Sequence, residues 1–432
     1  MRSWIPIAIW MMGTYVGPAE VPGTTGDLLP EQPASISIGS PTIQIGLDGA
    51  RMKIVFTGAL QLADAVSGPW NDIPNAASPF SQDPANRERF YRTREPDSIF
   101  SLHSVVAFTL TGPFQSHFDL AFAGMPDGFI PPLREKPYFD GMLKMTGYEI
   151  PVALRVRGNS SLQECPFPKL KFKVAKEQRA GTPFLDAREI KIGTHCAEGG
   201  RGTIGRLRDE TAAFREALAY EIMELMGFIS PRVRRARIEY LDTTPTNGTS
   251  EVGWQITRNA MILDDIEVVA EQWGGHALAD EDVTALTDVD FDEQLVTDLQ
   301  FLHVLFGNWD YALPVDGPGV WNTEVIALDN GKLVPVAGDF DLSSWVTEVV
   351  RLSAPRDYRP ELPDIDRQAR YQLEQIQKRV SGPSFVAASD RFETQRAAIE
   401  SQIIAAAIDG AGLSNALRHV TAFFDALASV TR

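Results

Sequence analysis

The sequence predicts an α+β protein in which a small all-β module precedes a larger mixed domain. Three observations carry this. Residues 35–97 hold short alternating apolar runs broken by Gly and Pro; residues 102–262 set alternating strands beside one strongly periodic helix; residues 291–306 and 367–431 have helical spacing. At 432 residues, 44% hydrophobic and 22% charged, the chain has enough apolar surface for two or three domains. Its formal net charge of −17 repels phosphate backbones and anionic membrane surfaces, so nucleic acid is not an expected partner.

Taken in order, Arg2 precedes an apolar run from Trp4 to Val16 and then Gly17-Pro18-Ala19, whose small residues suit cleavage before Glu20. Residues 1–19 are therefore expected to be a signal peptide, and the protein to be exported to the periplasm, the cell surface or the medium. Residues 20–34, rich in Gly, Pro and Thr, read as a linker. No later stretch has the roughly 18 uninterrupted apolar residues that a membrane span needs.

Residues 35–97 contain Ile36–Ile38, Thr42–Ile45, Met52–Phe56 and Leu60–Leu62 and end in Phe90-Tyr91-Arg92. This is the pattern of a sandwich-like module. It resembles a repeat-like β module of secreted bacterial proteins that accompanies a catalytic or binding domain.

Residues 98–432 form the main domain. A strand opens at Val105–Leu110, and a loop rich in Pro, Gly and Phe spans residues 113–141. The alternating strand Ile150–Arg157 runs into Gly158-Asn159-Ser160-Ser161, and a second, Lys169–Val174, follows Pro168. Period-two alternation puts Lys169, Lys171 and Lys173 on one face. That face is either a solvated exterior or, beside a turn with free backbone N–H groups, a phosphate site. The only cysteines, Cys165 and Cys196, flank this strand. In an oxidising compartment they read as one disulfide, worth about 3 kcal/mol in the chain-entropy model. Two free buried thiols are the other reading, and a zinc site lacks ligands because only His195 lies nearby.

A helix follows, capped by Asp209 or Thr211, with Phe214, Leu218, Ile222 and Leu225 on its apolar side, Glu216, Glu221 and Glu224 among its polar positions, and Gly227 at its C-terminal turn. Strands at Val233–Leu241 and near Trp254–Ile256 come next. Residues 291–306 read as a buried helix ending in Gly307-Asn308-Trp309-Asp310; Val334–Ala337 delivers Gly338-Asp339-Phe340-Asp341; helices fill Arg367–Arg379, Arg391–Ile408 and Leu413–Thr431. Phosphoryl transfer needs a carboxylate near the acceptor hydroxyl and oxygen ligands for Mg²⁺. Asp310, Asn322, Asp339 and Asp341 supply such a set, although the same residues also serve as ordinary caps and turns.

Arg157-Gly158-Asn159-Ser160-Ser161, Phe167-Pro168-Lys169-Leu170-Lys171-Phe172, Leu207-Arg208-Asp209, Gly307-Asn308-Trp309-Asp310 and Asp339-Phe340-Asp341 resemble, in this order, the motifs of the spore-coat CotH family of atypical kinases. The resemblance covers about residues 102–350. It is closer still to an exported bacterial branch in which segments like Cys165-Pro166-Phe167-Pro168 and Thr194-His195-Cys196 recur. It implies a kinase-like two-lobed α+β domain, with a small lobe over about 98–262 and a large lobe over about 263–432, that binds ATP and Mg²⁺ or Mn²⁺ and phosphorylates a protein hydroxyl. Carried onto this chain, Asp310 faces the acceptor; Asn322, Asp339 and Asp341 hold the metal; Lys171 or Lys173 contacts the phosphates with Glu216 behind it; Arg157 and Gly158 line the triphosphate. The chain departs from the family in having Thr257-Arg258-Asn259 where a Glu is usual and a longer insertion before Asn322. The competing expectation is a non-catalytic secreted binding or surface-structure protein of the same fold. A carbohydrate-active site on Asp339 and Asp341 is disfavoured, because carboxylates two residues apart rarely span a glycosidic bond.

Overall fold

The computed structural model describes residues 43–48, 51–56, 58–64, 70–73, 76, 78–82, 90–94, 97–101, 104–122, 136–158, 162, 165–196, 209–245, 253–313, 321–348 and 364–431. The expected signal peptide, the linker, residues 159–161 of the Gly-Asn-Ser-Ser turn and Leu207-Arg208 lie outside these. The chain divides into two compact units, residues 1–96 with 180–182, and residues 97–179 with 183–432.

The first unit contains two three-stranded sheets. Strands β1 (Ile43–Asp48), β2 (Arg51–Phe56) and β5 (Phe80–Gln82) form one; β4 (Asn71–Asp72), β3 (Ala59–Ala63) and β6 (Phe90–Arg94) form the other. Alternation along β2 buries Ile54 and Phe56, which meet Leu60 of β3 in a small core.

The second unit mixes a barrel with helices. Strands β7 (Val106–Gly112), β8 (Tyr138–Met145), β9 (Tyr148–Arg157), β10 (Lys169–Val174), β11 (Glu189–Thr194), β12 (Val233–Asp242) and β13 (Gln255–Leu263) close in the order β10-β11-β13-β12-β7-β8-β9. Only β7 and β12 pair in parallel; the other neighbours are antiparallel. Every strand sends alternate apolar side chains inward, among them Leu110, Leu154, Phe172, Ile192, Ile238 and Ile262, so the interior is a packed core. Closure was not legible in the sequence. The expected loop over 113–141 in fact contains helix α1 (Phe114–Phe122), which buries Phe114 and Phe118, and the first half of β8. Gly141 inside β8 imitates a strand breaker, and the Phe spacing of α1 spans too few turns to stand out.

Outside the barrel lie helix α2 (Ala212–Leu225), helix α3 (Ile266–Gln272) and the antiparallel ladder of β14 (Gly275–Ala277), β15 (Thr323–Leu328) and β16 (Leu333–Ala337). Helices α4 (Glu293–Phe306), α5 (Ile365–Arg379), α6 (Gly382–Ala405) and α7 (Gly410–Val430) complete the unit. Asp292, Asp364, Ser381 and Asp409 cap these four helices with side-chain acceptors. The Ser381 cap and Pro383 start α6 nine residues before the expected Arg391. A second core runs through Leu218, Leu302, Phe306, Phe392, Ile399 and Phe423. Strand β13 serves both cores: Ala260 and Ile262 face the barrel, while Met261 and Leu263 face the helices.

Helix α2 departs from its expected amphipathic form. It is buried almost all round, so Leu225 is exposed while Arg215, Glu216 and Glu221 are buried. Each has a charged neighbour. Arg215 pairs with Asp209 and Asp409, and Glu221 with Arg235 at 2.8 Å. Glu216 faces the site described next.

Candidate functional site

Strand β10 holds its three lysines on one face, as the alternation requires, but they have different partners. Lys173 lies opposite Glu189 of β11, and Glu189 takes both Lys171 at 2.7 Å and Lys173 at 3.2 Å. Tyr138 also donates to Glu189, and its ring lies under the Lys173 ammonium. The ammonium that reaches the aspartates is Lys169, 3.0 Å from Asp339 Oδ1 and 2.7 Å from Asp341 Oδ2. The expected phosphate contacts, Lys171 and Lys173, are instead both engaged by the carboxylate of Glu189 on β11. The period fixed the face, but register decides which lysine meets which carboxylates.

Strand β16 delivers Asp339 through Gly338, and Asp339 has a left-handed backbone, φ 53°. A non-glycine residue pays roughly 1–2 kcal/mol for this conformation. The Tyr220 hydroxyl, one turn beyond Glu216 on α2, accepts the Asp339 N–H at 3.0 Å and holds the turn in place. Phe340 is fully buried against Tyr220, His303 and Phe306. That burial turns Asp339 and Asp341 back toward β10. Asp341 is mostly covered, at 14% side-chain exposure, whereas Asp339 keeps 46% and is the solvent-facing member.

Glu216 approaches the same cluster from α2. A Cβ at Gly193 of β11 would fall 2.7 Å from Met261 Cε and 3.7 Å from Glu216 Oε2, so the missing side chain lets helix and barrel wall come together here. Burial, then the Asp341 charge, pushes the Glu216 carboxyl up to about 8. Burial and Asp339 push Asp341 up to about 6. Asp339 is also opposed by burial, but Lys169 and then Arg157 hold it below the usual carboxylate range. Burial works against the Lys169 ammonium too, yet Asp339, Asp341 and Glu216 outweigh it and raise its pKa. Three acids thus crowd one buried ammonium. Arg157 stands directly across from Lys169 in the β9–β10 pairing, and its Nε is buried without a hydrogen-bond partner among the described residues. Gly158 follows with φ 97°, turning the chain away at the end of β9.

Asp310 is built from helix α4. Gly307 ends the helix in the left-handed conformation, and a Cβ there would strike Ser344 Oγ at 2.1 Å. Buried Asn308 then sits 3.1 Å from His303 Nδ1 through its amide nitrogen, while its Oδ1 accepts the Asp310 N–H. The Asp310 carboxylate is gripped at both oxygens, Oδ1 by the Trp321 indole N–H and Oδ2 by the Asn322 amide, each at 3.1 Å. Asn322, expected among the metal ligands, therefore spends its amide nitrogen on Asp310. Its main-chain carbonyl accepts the N–H of Gly338, the residue before Asp339. The charge of Asp310 contributes to the raised pKa of Asp341.

Cys165 and Cys196 are joined, with Cα atoms 4.6 Å apart, so the two-thiol and zinc readings do not apply. Of the expected site residues, Arg157, Gly158, Glu216, Asp339 and Asp341 gather around Lys169; Asp310 and Asn322 form an adjoining corner; Lys171 and Lys173 lie two and four residues along β10 with Glu189. Sequence reasoning placed Lys169 on the right face without singling it out, and it missed Tyr220 and Trp321. Tyr220 had a usable signal, its i+4 spacing from Glu216.

Among the described residues no group of three or more His, Cys, Asp or Glu side chains forms a ready metal cage. Mg²⁺ does not need one. It is commonly held by one or two carboxylates together with substrate phosphates and water. Asp339 and Asp341, with negative charge in excess of the Lys169 ammonium, fit that role. No protein-family model matches the chain, and no curated protein matches it. No helix among the described residues is long and apolar enough to cross a membrane.

Proposed function

We propose that the chain is an exported CotH-like phosphotransferase that moves the ATP γ-phosphoryl group to a protein hydroxyl. The observation that carries this is Arg157. A buried guanidinium nitrogen without a partner costs about 1–3 kcal/mol, and this one, unpartnered among the described residues, stands across from Lys169 with its charge acting on the half-exposed Asp339. A phosphate oxygen satisfies that donor. The barrel and the helical core then take the parts of small and large lobe, with Lys169 on a strand, Glu216 on a helix and Asp339 after another strand. The buried disulfide supports the export reading.

In this reading Arg157 and Lys169 hold phosphate oxygens and Tyr220 fixes the turn that presents Asp339. A bound Mg²⁺ or Mn²⁺, held by Asp339 and Asp341, supplies charge neutralisation on the phosphoryl oxygens. Asp310 orients the acceptor hydroxyl and takes its proton as the new O–P bond forms; the bond from the γ-phosphorus to the bridging oxygen breaks and ADP leaves. Trp321, 54% exposed and pinned through its N–H to Asp310, borders the acceptor side.

A non-catalytic nucleotide-binding protein is the second reading. It is favoured by the two N–H donors on Asp310, which weaken that carboxylate as a base. Incubation with labelled ATP and Mn²⁺, followed by intact-mass analysis, separates the two. Transfer to itself or to co-exported proteins supports the enzyme. A metal-dependent thermal shift with ATP but no transfer supports the binding protein, and no shift with either metal defeats both.

A further inference from the structure

The Cys165–Cys196 bridge lies against both halves of the Lys169 ion cluster. Cys165 precedes Lys169 by four residues, and Cys196 lies two residues beyond the end of β11. The β10–β11 register runs from Lys173↔Glu189 only to Leu170↔Ile192. Past that point the two chains are tied by the bridge and by the Phe167 N–H, which donates to the Cys196 carbonyl at 3.3 Å. The sulfurs are buried, at 5% and 2% residue exposure, yet belong to neither large core. Among the described residues, the apolar side chain packed on them is that of Leu342, which immediately follows Asp341. One covalent link therefore borders the segment that launches the ammonium and the turn that carries its two aspartates.

We propose that Cys165, Cys196 and Leu342 are positioning residues: the bridge seats the Asp339–Leu342 turn against the start of β10 and so keeps Lys169 on its aspartates, and opening it loosens this contact while both cores stay folded. The cores have their own packing. Arg258 also secures the bridge region from the other side, donating to the His195 carbonyl at 2.6 Å with its guanidinium 4.1 Å over the Phe167 ring. Loss of the bridge therefore frees the Leu342 side without releasing the whole joint. The site is in consequence thiol-sensitive. A dithiol reductant passes two electrons and two protons to the bridge, leaving Cys165 and Cys196 as thiols and the reductant as its own disulfide. The geometric claim stands by itself; only its consequence for nucleotide binding rests on the function proposed above.

The test reads Lys169 directly. Full-length wild type, the Cys165→Ala/Cys196→Ala double variant, Leu342→Ala and the triple variant are pulsed with a water-soluble amine-acylating ester, and peptide mass spectrometry gives the labelling of Lys169 relative to exposed Lys332. Hydrogen exchange of the α4 amides reports the helical core. The proposal expects Lys169 labelling to rise about tenfold in both the double variant and Leu342→Ala, with little further rise in the triple variant and unchanged α4 protection. Lys169 labelling within about twofold of wild type in the double variant overturns it, as does a rise that comes only with loss of α4 protection, which marks a merely structural bridge. Leu342→Ala keeps the disulfide, so it decides the matter even where the double variant folds poorly: unchanged labelling in that variant alone also overturns the proposal. Wild-type protein that binds no Mn²⁺–ATP defeats the proposed function and leaves the labelling result to judge the bridge.

Discussion

Asn322 donates its side-chain amide to Asp310 twice, at 2.6 Å to the main-chain carbonyl and at 3.1 Å to Oδ2. Its own backbone is left-handed, φ 51°, a conformation Asn tolerates better than most residues. Through its carbonyl it also accepts the Gly338 N–H, so one residue sets the spacing between the acceptor-facing carboxylate and the Asp339 turn. Asn322→Ala should leave Asp310 free to rotate and lower phosphate transfer by roughly 10–100-fold, while Asp310→Asn should lower it by about 10²–10⁴-fold. Neither should weaken Mn²⁺–ATP binding by more than about threefold, because neither side chain lies on the phosphates. Titration calorimetry beside a transfer assay checks this; an Asn322→Ala protein that loses nucleotide affinity in proportion to turnover points to a ligand role instead.

The three lysines of β10 give a second prediction. Lys169→Met leaves Asp341 buried without its ammonium and should cost about 3 kcal/mol, since breaking a buried pair strands the remaining charge. Lys171→Met leaves Glu189 still paired with Lys173 and Tyr138 and should cost about 1 kcal/mol or less. Metal–nucleotide binding should follow the same order. Urea unfolding and thermal shift with Mn²⁺–ATP check both; equal losses in the two variants contradict the assignment of Lys169.

These two cases show how far the sequence can be read. Period two fixed the face of Lys169, Lys171 and Lys173, Gly227 is left-handed at its helix end as its position suggested, and Gly307 ends its helix where the apolar spacing stops. Local rules suffice there, because backbone sterics within a few residues decide the outcome. What stayed hidden depends on distant partners. Glu189 takes Lys171 and Lys173 and leaves Lys169 to the aspartates, and barrel closure depends on β8, whose Gly141 looks like a breaker. Trp321 and Asp310 become neighbours only because an isolated bridge pairs Ala312 with Trp321. The buried charges of α2 mislead for the same reason, since Arg235 and Asp409 come from other elements.

Tyr220 supplies a third prediction. Tyr220→Phe keeps the ring that packs on Phe340 but removes the acceptor for the Asp339 N–H. An unsatisfied buried donor costs about 1–3 kcal/mol. Part of that is expected to appear as relaxation of the left-handed turn, and Mn²⁺–ATP affinity should fall about tenfold with it. Asp339→Asn should abolish the binding outright. Comparison of the two by calorimetry is decisive: full affinity in Tyr220→Phe removes the hydroxyl from the site.

The last prediction concerns acid. His303 and His419 are buried, and burial holds each imidazole down to about 3 from an ordinary 6.5; for His419 the nearby Arg418 adds to it. Their surroundings suit the neutral ring. His303 Nδ1 sits 3.1 Å from the Asn308 amide nitrogen with Nε2 unpartnered among the described residues, and the ring stacks on Tyr311; His419 Nε2 is 3.2 Å from Ser344 Oγ. A folded pKa below the unfolded value means that the unfolded chain binds more protons between the two, so this stability is present above about pH 6.5 and is lost as pH falls toward 3. Linkage over that interval gives a loss of about 2 kcal/mol per histidine between pH 7 and pH 5, a large share of the 5–15 kcal/mol typical of a folded domain. The raised carboxyls of Glu216 and Asp341 act in the opposite sense, since their folded pKa values lie above the unfolded ones and their contribution is lost as pH rises. The informative quantity is therefore a difference in which the carboxyls cancel: urea stability of wild type at pH 7 minus pH 5, less the same quantity for His419→Gln. It should be about 2 kcal/mol, with His303→Gln giving a similar value. A difference near zero for both variants means that these rings either stay neutral in the unfolded chain at pH 5 or reach water in the folded one.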